Sequence, residues 1–478
     1  MKTLKPKKWI FITICLILAF LILGMGTVVY VDPFFVYHKP NQKLYYKYDD
    51  ALYQCPGMVK NFDYEMLIAG TSLIQNMKTS TAKSVFGLDA IKTPLCGISL
   101  ERNISLMNLA IESNPELKTI IFPIYANHFC SESDEDNTNF PDHLYDNNIL
   151  NDISYLLNKD IIFNRNLDTI LNPHNRIQDS PDSIFSSETT FFFAEYVVME
   201  RKNASWDWNT THSLNCVKHN KELLCKFIDE NPQIKFEFFI TPKNILYLNE
   251  AQKNNMLNFE LDILKEISTS LLKYENVDLH FFQDDVEIIG NLYNYCDFIH
   301  FSSHVSDKIL FDIKNKTKIV TPDSLDEQIQ NVKTITKKFD YSVFSTSHPL
   351  KSTNDINKYL NLISDDKYEV FVSYLNSDNK AFSIGKNTEN LFNTLGIDIE
   401  TVISSQEGQS NQKWSENSTT QVLFSDNGSI FINDINYSME LPGLNIVIYD
   451  KALDRIIDSV NFSGDHLSEC LRTKNTRK

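Results

Sequence analysis

No charged residue occurs between Trp9 and Val31, and Lys2, Lys5, Lys7 and Lys8 stand immediately before that run. Nothing else in the chain restricts its folding so strongly. About 20 consecutive apolar residues cross a bilayer core, where every backbone polar group must be satisfied within the segment. The run therefore predicts one membrane-spanning helix over residues 9–31. Lysines on its N-terminal side keep residues 1–8 in the cytosol and place the bulk of the chain outside the plasma membrane. A cleaved signal peptide is the competing reading. Its apolar core is typically about 7–15 residues and ends at a small-x-small site. Gly24-Met25-Gly26 matches such a site poorly, and Ile14 before Cys15 does not suit lipoprotein cleavage. A retained anchor is the expectation.

At 478 residues the chain is too long for one ordinary core, which predicts two or three domains. A net charge of −17, with no basic stripe beyond the first eight residues, argues against nucleic acid as the main partner, because phosphate binding needs a basic face. With only 13 glycines, neither a Walker A loop nor a dinucleotide fingerprint is present. Of eight cysteines, Cys15 lies in the membrane run, and no C-x-x-C pair exists to form a zinc ribbon or redox motif. Cys216 and Cys225 fall in one helical pattern and are poorly placed to bridge each other. A bridge between Cys96 and Cys296 stays open, with unpaired, half-buried thiols as the plainer reading. No metal or organic cofactor is implied.

The juxtamembrane "VDPFFVYHKP" carries Tyr30, Phe34, Phe35 and Tyr37, which suit a membrane interface. A first domain follows over residues 43–321. Short apolar runs at Tyr64–Ala69, Ala90–Pro94, Thr119–Ile124, Phe236–Ile240 and Val277–Phe282 read as strands. Helical patterns at Glu101–Ser113, Asn148–Leu157, His212–Glu230, Glu250–Leu272 and Ser303–Ile313 alternate with them. That alternation predicts an α/β domain, a parallel sheet with helices on both faces, whose sites form at the carboxyl ends of the strands. Asp168–Thr211 breaks the rhythm with an aromatic block at Phe191–Phe193 and "WDWN" at Trp206–Asn209. A sugar platform, a lid and a packing patch are all compatible with it.

Residues 322–354 are polar and read as a linker. A smaller β-rich (α+β) domain is expected over residues 355–464, with strands at Tyr368–Ser373, Thr420–Phe424, Ser429–Ile432 and Gly443–Tyr449 and a helix at Asn387–Leu395. "SDNGS", Ser425–Ser429, signals a hairpin. Residues 465–478 form a charged tail. N-x-[ST] triplets at Asn203, Asn209, Asn417 and Asn461 are expected by chance in so Asn-rich a chain.

In "FDYEMLIAGTSLIQN", Phe62–Asn76, an apolar strand ends in Gly70-Thr71-Ser72 and a helical pattern resumes. Ser72 reads either as a helix cap, a role serine favours, or as a nucleophile at the sheet edge. A serine hydroxyl needs a histidine to take its proton and a carboxylate to fix that histidine's tautomer. "YCDFIHFSS" offers Asp297 and His300 three residues apart, after the last strand and hence on the same edge. His300 also reads as an ordinary loop histidine. His128, His174, His212 and His304 show no comparable spacing to a carboxylate and read as structural.

Strand, Gly-Thr-Ser and helix near the start, with Asp-Phe-Ile-His near the end, resemble the SGNH (GDSL-like) hydrolase fold. In particular they resemble its membrane-anchored members in Gram-positive bacteria, relatives of the D-alanyl-lipoteichoic-acid transfer protein and of glycan O-acetyltransferase modules. The similarity spans roughly residues 30–315 and implies Ser72 as nucleophile, His300 as base and Asp297 as its orienting acid. It implies an oxyanion hole from the Ser72 N–H, Gly97 of "PLCGISLE" and Asn127 of "IIFPIYANHF". The chain departs from the family pattern in reading Gly-Thr-Ser and in lacking the glycine-asparagine-aspartate motif. Asn127 otherwise reads as a plain loop residue. "GLNIVIYDKALDRIIDSVNFSGDH", Gly443–His466, with "KYEVFVSYLNSDNKAF", Lys367–Phe382, resembles the interleukin-like EMT-inducer (PANDER-type) domain, related members of which bind carbohydrate. Trp414 reads as a core residue or a sugar-stacking one.

Together these resemblances imply ester chemistry, hydrolytic or acyl-transferring, on a cell-envelope or exported glycan, with a membrane-bound acyl-donating partner in the transfer case. A non-catalytic glycan-binding or scaffolding protein with a degenerate SGNH fold is the competing expectation.

Overall fold

The fold is given by a computed structural model that describes residues 6–131, 140–171, 180–184, 210–341, 350, 353–364, 368–376, 384–405, 408–410, 422–424, 429–432, 435–439, 441–450, 455–464 and 467–472. Phe191–Phe193, "WDWN", His174, Trp414 and the triplets at Asn203, Asn209 and Asn417 lie outside the described residues.

Helix α1, Pro6–Val31, is one helix long and apolar enough to cross a membrane. Proline at its first position suits a helix start, where the missing N–H costs nothing. The chain then turns sharply. Asp32 adopts φ +48°, and its carboxylate accepts from the N–H groups of Val36 (2.9 Å), Tyr37 (2.7 Å) and His38 (3.0 Å). Helix α2, Ala51–Asn61, packs against this turn through Gly57, where a Cβ would lie 2.1 Å from the Phe34 carbonyl oxygen.

The core of the first domain is a five-stranded sheet in the order β2-β1-β3-β4-β5. The strands are β1 Met66–Gly70, β2 Ala90–Pro94, β3 Thr119–Ile124, β4 Lys235–Ile240 and β5 Val277–Phe281, and every neighbouring pair is parallel. Side chains alternate across such strands, and the alternation divides the core. Leu67, Ala69, Ile120, Phe122, Phe236 and Phe238 face one side. There they meet Cys55 and Met58 of α2, Met107 of α4 (Leu100–Ser113), Phe227 of the Thr210–Glu230 helix and Leu261 of the Leu257–Leu271 helix. Met66, Ile68, Ile121 and Phe239 face the other side, against Ala82 of α3 (Thr79–Phe86) and Ile309 of the Ser303–Asn315 helix. Helices thus cover both faces, and all five strands end on one edge.

Several stretches differ from the sequence expectation: helix α2 was not expected, and the tail expected over residues 465–478 contributes a strand, Glu469–Leu471, to the C-terminal sheet. The expected Glu250–Leu272 helix is two helices, Ile245–Lys253 and Leu257–Leu271, parted where Asn255 takes φ +58°, a conformation asparagine tolerates better than most residues. The expected Asn148–Leu157 helix shrinks to one turn, α6, Ile153–Leu156. The stretch read as a linker contains a helix, Leu325–Lys338, which buries Leu325, Ile329 and Val332. Their four-three spacing makes one apolar face, which the polar composition around them masks.

The C-terminal region is β-rich and antiparallel. One sheet has the order β13-β12-β11-β6-β7, built from β6 Tyr368–Leu375, β7 Gln409–Ser410, β11 Gly443–Asp450, β12 Arg455–Ser463 and β13 Glu469–Leu471. A second has the order β10-β9-β8, from β8 Val422–Phe424, β9 Ile430–Ile432 and β10 Ile435–Asn436. β8 pairs antiparallel with β9, while the expected turn between them, at residues 425–428, lies outside the described residues. Three short helices, Ile356–Leu362, Lys386–Thr394 and Ile399–Ser405, contribute to the apolar cluster on one face of the larger sheet.

Candidate active site

Strand β1 ends at Gly70, whose φ of +154° lets the chain turn out of the sheet. A Cβ there would stand 2.7 Å from Pro123 Cδ on β3, so the site requires glycine for space as well. Thr71 follows in extended conformation, and Ser72 opens a single 3-10 turn, Ser72–Ile74. The residue at the cap position is therefore Thr71, and it makes no side-chain capping bond. Ser72 is not a helix cap. Its hydroxyl donates instead to His300 Nε2 at 2.7 Å.

His300 sits in a tight loop, closed where Cys296 N–H donates to the His300 carbonyl at 2.8 Å. Within it, Asp297 Oδ1 accepts from the N–H groups of Ile299 (2.8 Å) and His300 (2.7 Å), which is how a D-x-x-H spacing becomes a fixed turn. Asp297 Oδ2 meets His300 Nδ1 at 2.5 Å. Burial pushes the Asp297 carboxyl up, but the hydrogen bond and charge of His300, with the two backbone N–H groups, outweigh it and hold the carboxyl below its usual range. An ionised carboxylate only accepts, so Nδ1 carries the imidazole proton and Nε2 is left to accept from Ser72. All three side chains stay partly open to solvent, His300 and Asp297 by 22% and 31% of their side-chain surface.

Buried amides hold the two loops together. Asn76 Nδ2 donates to the Phe301 carbonyl at 2.8 Å, tying the serine turn to the histidine loop. Asn244, after β4, donates through Nδ2 to the Asp297 carbonyl at 2.9 Å. Lys92, fully buried on β2, donates to the carbonyls of Gln75 (2.6 Å) and Asp182 (2.7 Å) and so braces the turn after Ser72. None of these three was singled out from sequence. A lysine inside the apolar strand "AIKTP" was the legible signal for Lys92, since an interior ammonium must have partners.

The two residues expected at an oxyanion hole both follow strands at the same edge, Gly97 on a loop and Asn127 in a short helix. Gly97 follows β2, is exposed, and has φ +68° with nothing within 4 Å of where a Cβ would stand. Leu95 N–H donates to the Gly70 carbonyl at 2.8 Å, keeping this loop beside the serine turn. Asn127 lies in α5, Ala126–Cys130, directly after β3. The preceding Tyr125 donates its hydroxyl to Thr71 Oγ1 at 3.1 Å. Lys243 Nζ donates to Asn127 Oδ1 at 2.7 Å and is itself fixed by Tyr247 (2.8 Å) and Glu260 (2.9 Å). A cation on Oδ1 sets the amide's orientation, and Nδ2 donates to none of the described residues. His128, left structural from sequence, is buried, stacks on Tyr125 and bonds the Ile98 carbonyl at 3.2 Å.

All eight cysteines are free thiols, Cys96 and Cys296 included. Among the described residues no group of three or more His, Cys, Asp or Glu is arranged to hold a metal ion. Compared with known proteins, the chain matches no family model, no curated protein and no solved structure.

Proposed function

We propose that this is a membrane-anchored extracytoplasmic serine esterase or O-acyltransferase of SGNH type, acting on a cell-envelope or exported glycan. One observation carries the reading: the continuous hydrogen-bonded relay Ser72–His300–Asp297 at the carboxyl edge of a parallel sheet. In this reading Ser72 Oγ attacks the acyl carbon while its proton passes to His300 Nε2. The imidazolium that forms is stabilised by Asp297. The tetrahedral oxyanion is held by backbone N–H donors at Ser72 and Gly97 and by Asn127 Nδ2. Collapse expels the alcohol, which takes the proton back from His300. Water or a glycan hydroxyl then attacks the acyl-serine through the same base. Exclusion of water favours transfer over hydrolysis.

The resemblance of residues 30–315 to Gram-positive membrane-anchored SGNH proteins supports a bacterial surface location with the N-terminus in the cytosol. It also supports a membrane-bound acyl-donating partner in the transfer case. The resemblance of the C-terminal module to the EMT-inducer-type domain supports a second, glycan-binding contact. The test is labelling of the full chain by a fluorophosphonate, compared with Ser72→Ala and His300→Ala. Labelling that both substitutions abolish supports an activated serine. Absence of labelling in folded wild type favours the non-catalytic, glycan-binding alternative.

A further inference from the structure

The first domain carries a second apolar surface beside α1. Residues 149–171 include α6, a π-helical turn at Ile161–Arg165, and α7, Asn166–Leu171. Their inward face is ordinary protein interior: Tyr155, Ile161, Asn166 and Thr169 are buried. Arg165 and Asp168 turn toward the rest of the domain. Arg165 pairs with Asp49 at 2.5 Å and Asp50 at 3.6 Å, and Lys47 pairs with Asp168 at 3.4 Å. The outward face is largely apolar, with Lys159 and Asp160 exposed at the junction between α6 and the π turn. Leu150 is 85% exposed, Leu171 70%, Ile153 53% and Phe163 52%, with Leu167 beside them. Phe163, Leu167 and Leu171 recur at helical spacing, so they form one row.

This row is continuous with the bare apolar surface of α1. The segment packs on the last turns of α1: Ile162 Cδ1 lies 3.5 Å from where a Cβ on Gly24 would stand. Val28 shares a small core with Phe34, Leu144, Tyr155 and Ile161. Gly24 is about 10 Å along the axis from Val31 at 1.5 Å per residue. That is the depth at which amphipathic interfacial helices rest, about 5–10 Å into the headgroup and acyl boundary.

The joint that sets this depth is rigid. Tyr46 OH donates to the Val31 carbonyl at 2.6 Å, Gln54 Nε2 to the Pro33 carbonyl at 3.2 Å, and Asn61 Nδ2 to the Phe35 carbonyl at 2.7 Å. Tyr155 OH donates to the Asp32 carboxylate at 2.9 Å, linking the segment itself to the turn after α1.

We infer that residues 149–171 lie in the outer leaflet of the bilayer, so that the first domain itself is seated on lipid rather than suspended from α1. The inference rests on α1 crossing the membrane. The two are separated by reconstituting the full chain in phosphatidylcholine vesicles containing lipid brominated near the top of the acyl chains or, for the mid-membrane position 16, near their ends. Single tryptophans are added by Leu16→Trp in mid-α1, by Leu150→Trp and Phe163→Trp, and by Phe311→Trp on the Ser303–Asn315 helix. Emission is read as the difference from the unsubstituted chain. Emission from positions 150 and 163 is expected to fall about two-fold, with little change at 311. Quenching at 16 with none at 150 and 163 beyond that at 311 overturns the inference and leaves the span intact. The row would then cover a protein partner or a second copy. Absence of quenching at 16 removes the span and the inference together.

Discussion

Both five-stranded sheets bury polar side chains, but they use them differently. In the antiparallel sheet the polar groups are turned inward to hold the chain. Asn461 Nδ2 donates to the carbonyls of Leu441 (3.1 Å) and Pro442 (3.3 Å) and to Asn445 Oδ1 (3.2 Å). Asp458, fully buried, accepts from Tyr359 OH at 2.9 Å and pairs with Arg472 at 3.4 Å. In the parallel sheet the buried amides of Asn76 and Asn244 serve a relay that stays partly open to solvent. A polar cluster closed on backbone carbonyls is architecture. One that ends in a partly exposed hydroxyl bonded to an imidazole nitrogen has the make-up of the proposed active site. The difference lies in direction: parallel strands deliver five loops to one edge, whereas antiparallel hairpins divide theirs between two.

That distinction is broken most decisively at Ser72. Ser72→Ala or His300→Ala is expected to lower the second-order rate of fluorophosphonate labelling, and the hydrolysis of a simple aryl acetate, by about 10³-fold or more. An unchanged rate in either variant would make the relay architecture too. Next in size is Asn127→Ala, expected to cost about 10²-fold in aryl acetate turnover with little change in KM, because an oxyanion donor acts on the transition state. A loss below tenfold would remove Asn127 from the oxyanion hole while leaving the triad in place.

The contrast runs in the opposite sense in the C-terminal region. Asp458→Ala leaves Arg472 and the Tyr359 hydroxyl without their buried partner. Removing one member of such a pair costs about 3 kcal/mol, read as a lower midpoint in urea, while labelling of Ser72 by the fluorophosphonate is expected to stay at the wild-type rate. Loss of labelling under conditions where the first domain remains folded would show that the two sheets are not independent in function.

What the sequence revealed follows the same division. The five parallel strands were legible within a residue or two because each is a short, mostly apolar run set between helical patterns, and Asp297–His300 was legible because its spacing is local. Asn76 and Asn244 were not, since each bonds a backbone carbonyl far along the chain, Asn76 to one 225 residues away. Such a bond leaves no local pattern. The Leu325–Lys338 helix was hidden because its apolar face is narrow among charged neighbours. Helix α2 was hidden by Pro56, a residue that ordinarily ends helices. Asn148–Leu157 was read as one helix because its spacing is helical, although only the single turn of α6 forms there.

The smallest expected effect concerns acid. Asp297 has its folded-state pKa held below the ordinary carboxylate value of about 3.9. A depressed carboxylate contributes stability that is present above the unfolded pKa and lost as pH falls through the folded one, because the native state then resists a proton that the unfolded chain accepts. The Tm difference between wild type and Asp297→Asn should therefore be level from about pH 8 to pH 5 and shrink below about pH 4. The side chain is about one-third exposed, so solvent screens the interaction and the difference is expected to be small. Catalysis separates the roles further. Asn at 297 can turn an amide N–H toward His300 and favour the wrong tautomer, so turnover should fall by about 10³-fold or more even at pH 8, where the stability difference is level. A variant that lost stability but kept its turnover would place Asp297 with Asp458, as a carboxylate that holds a loop and does nothing to the imidazole.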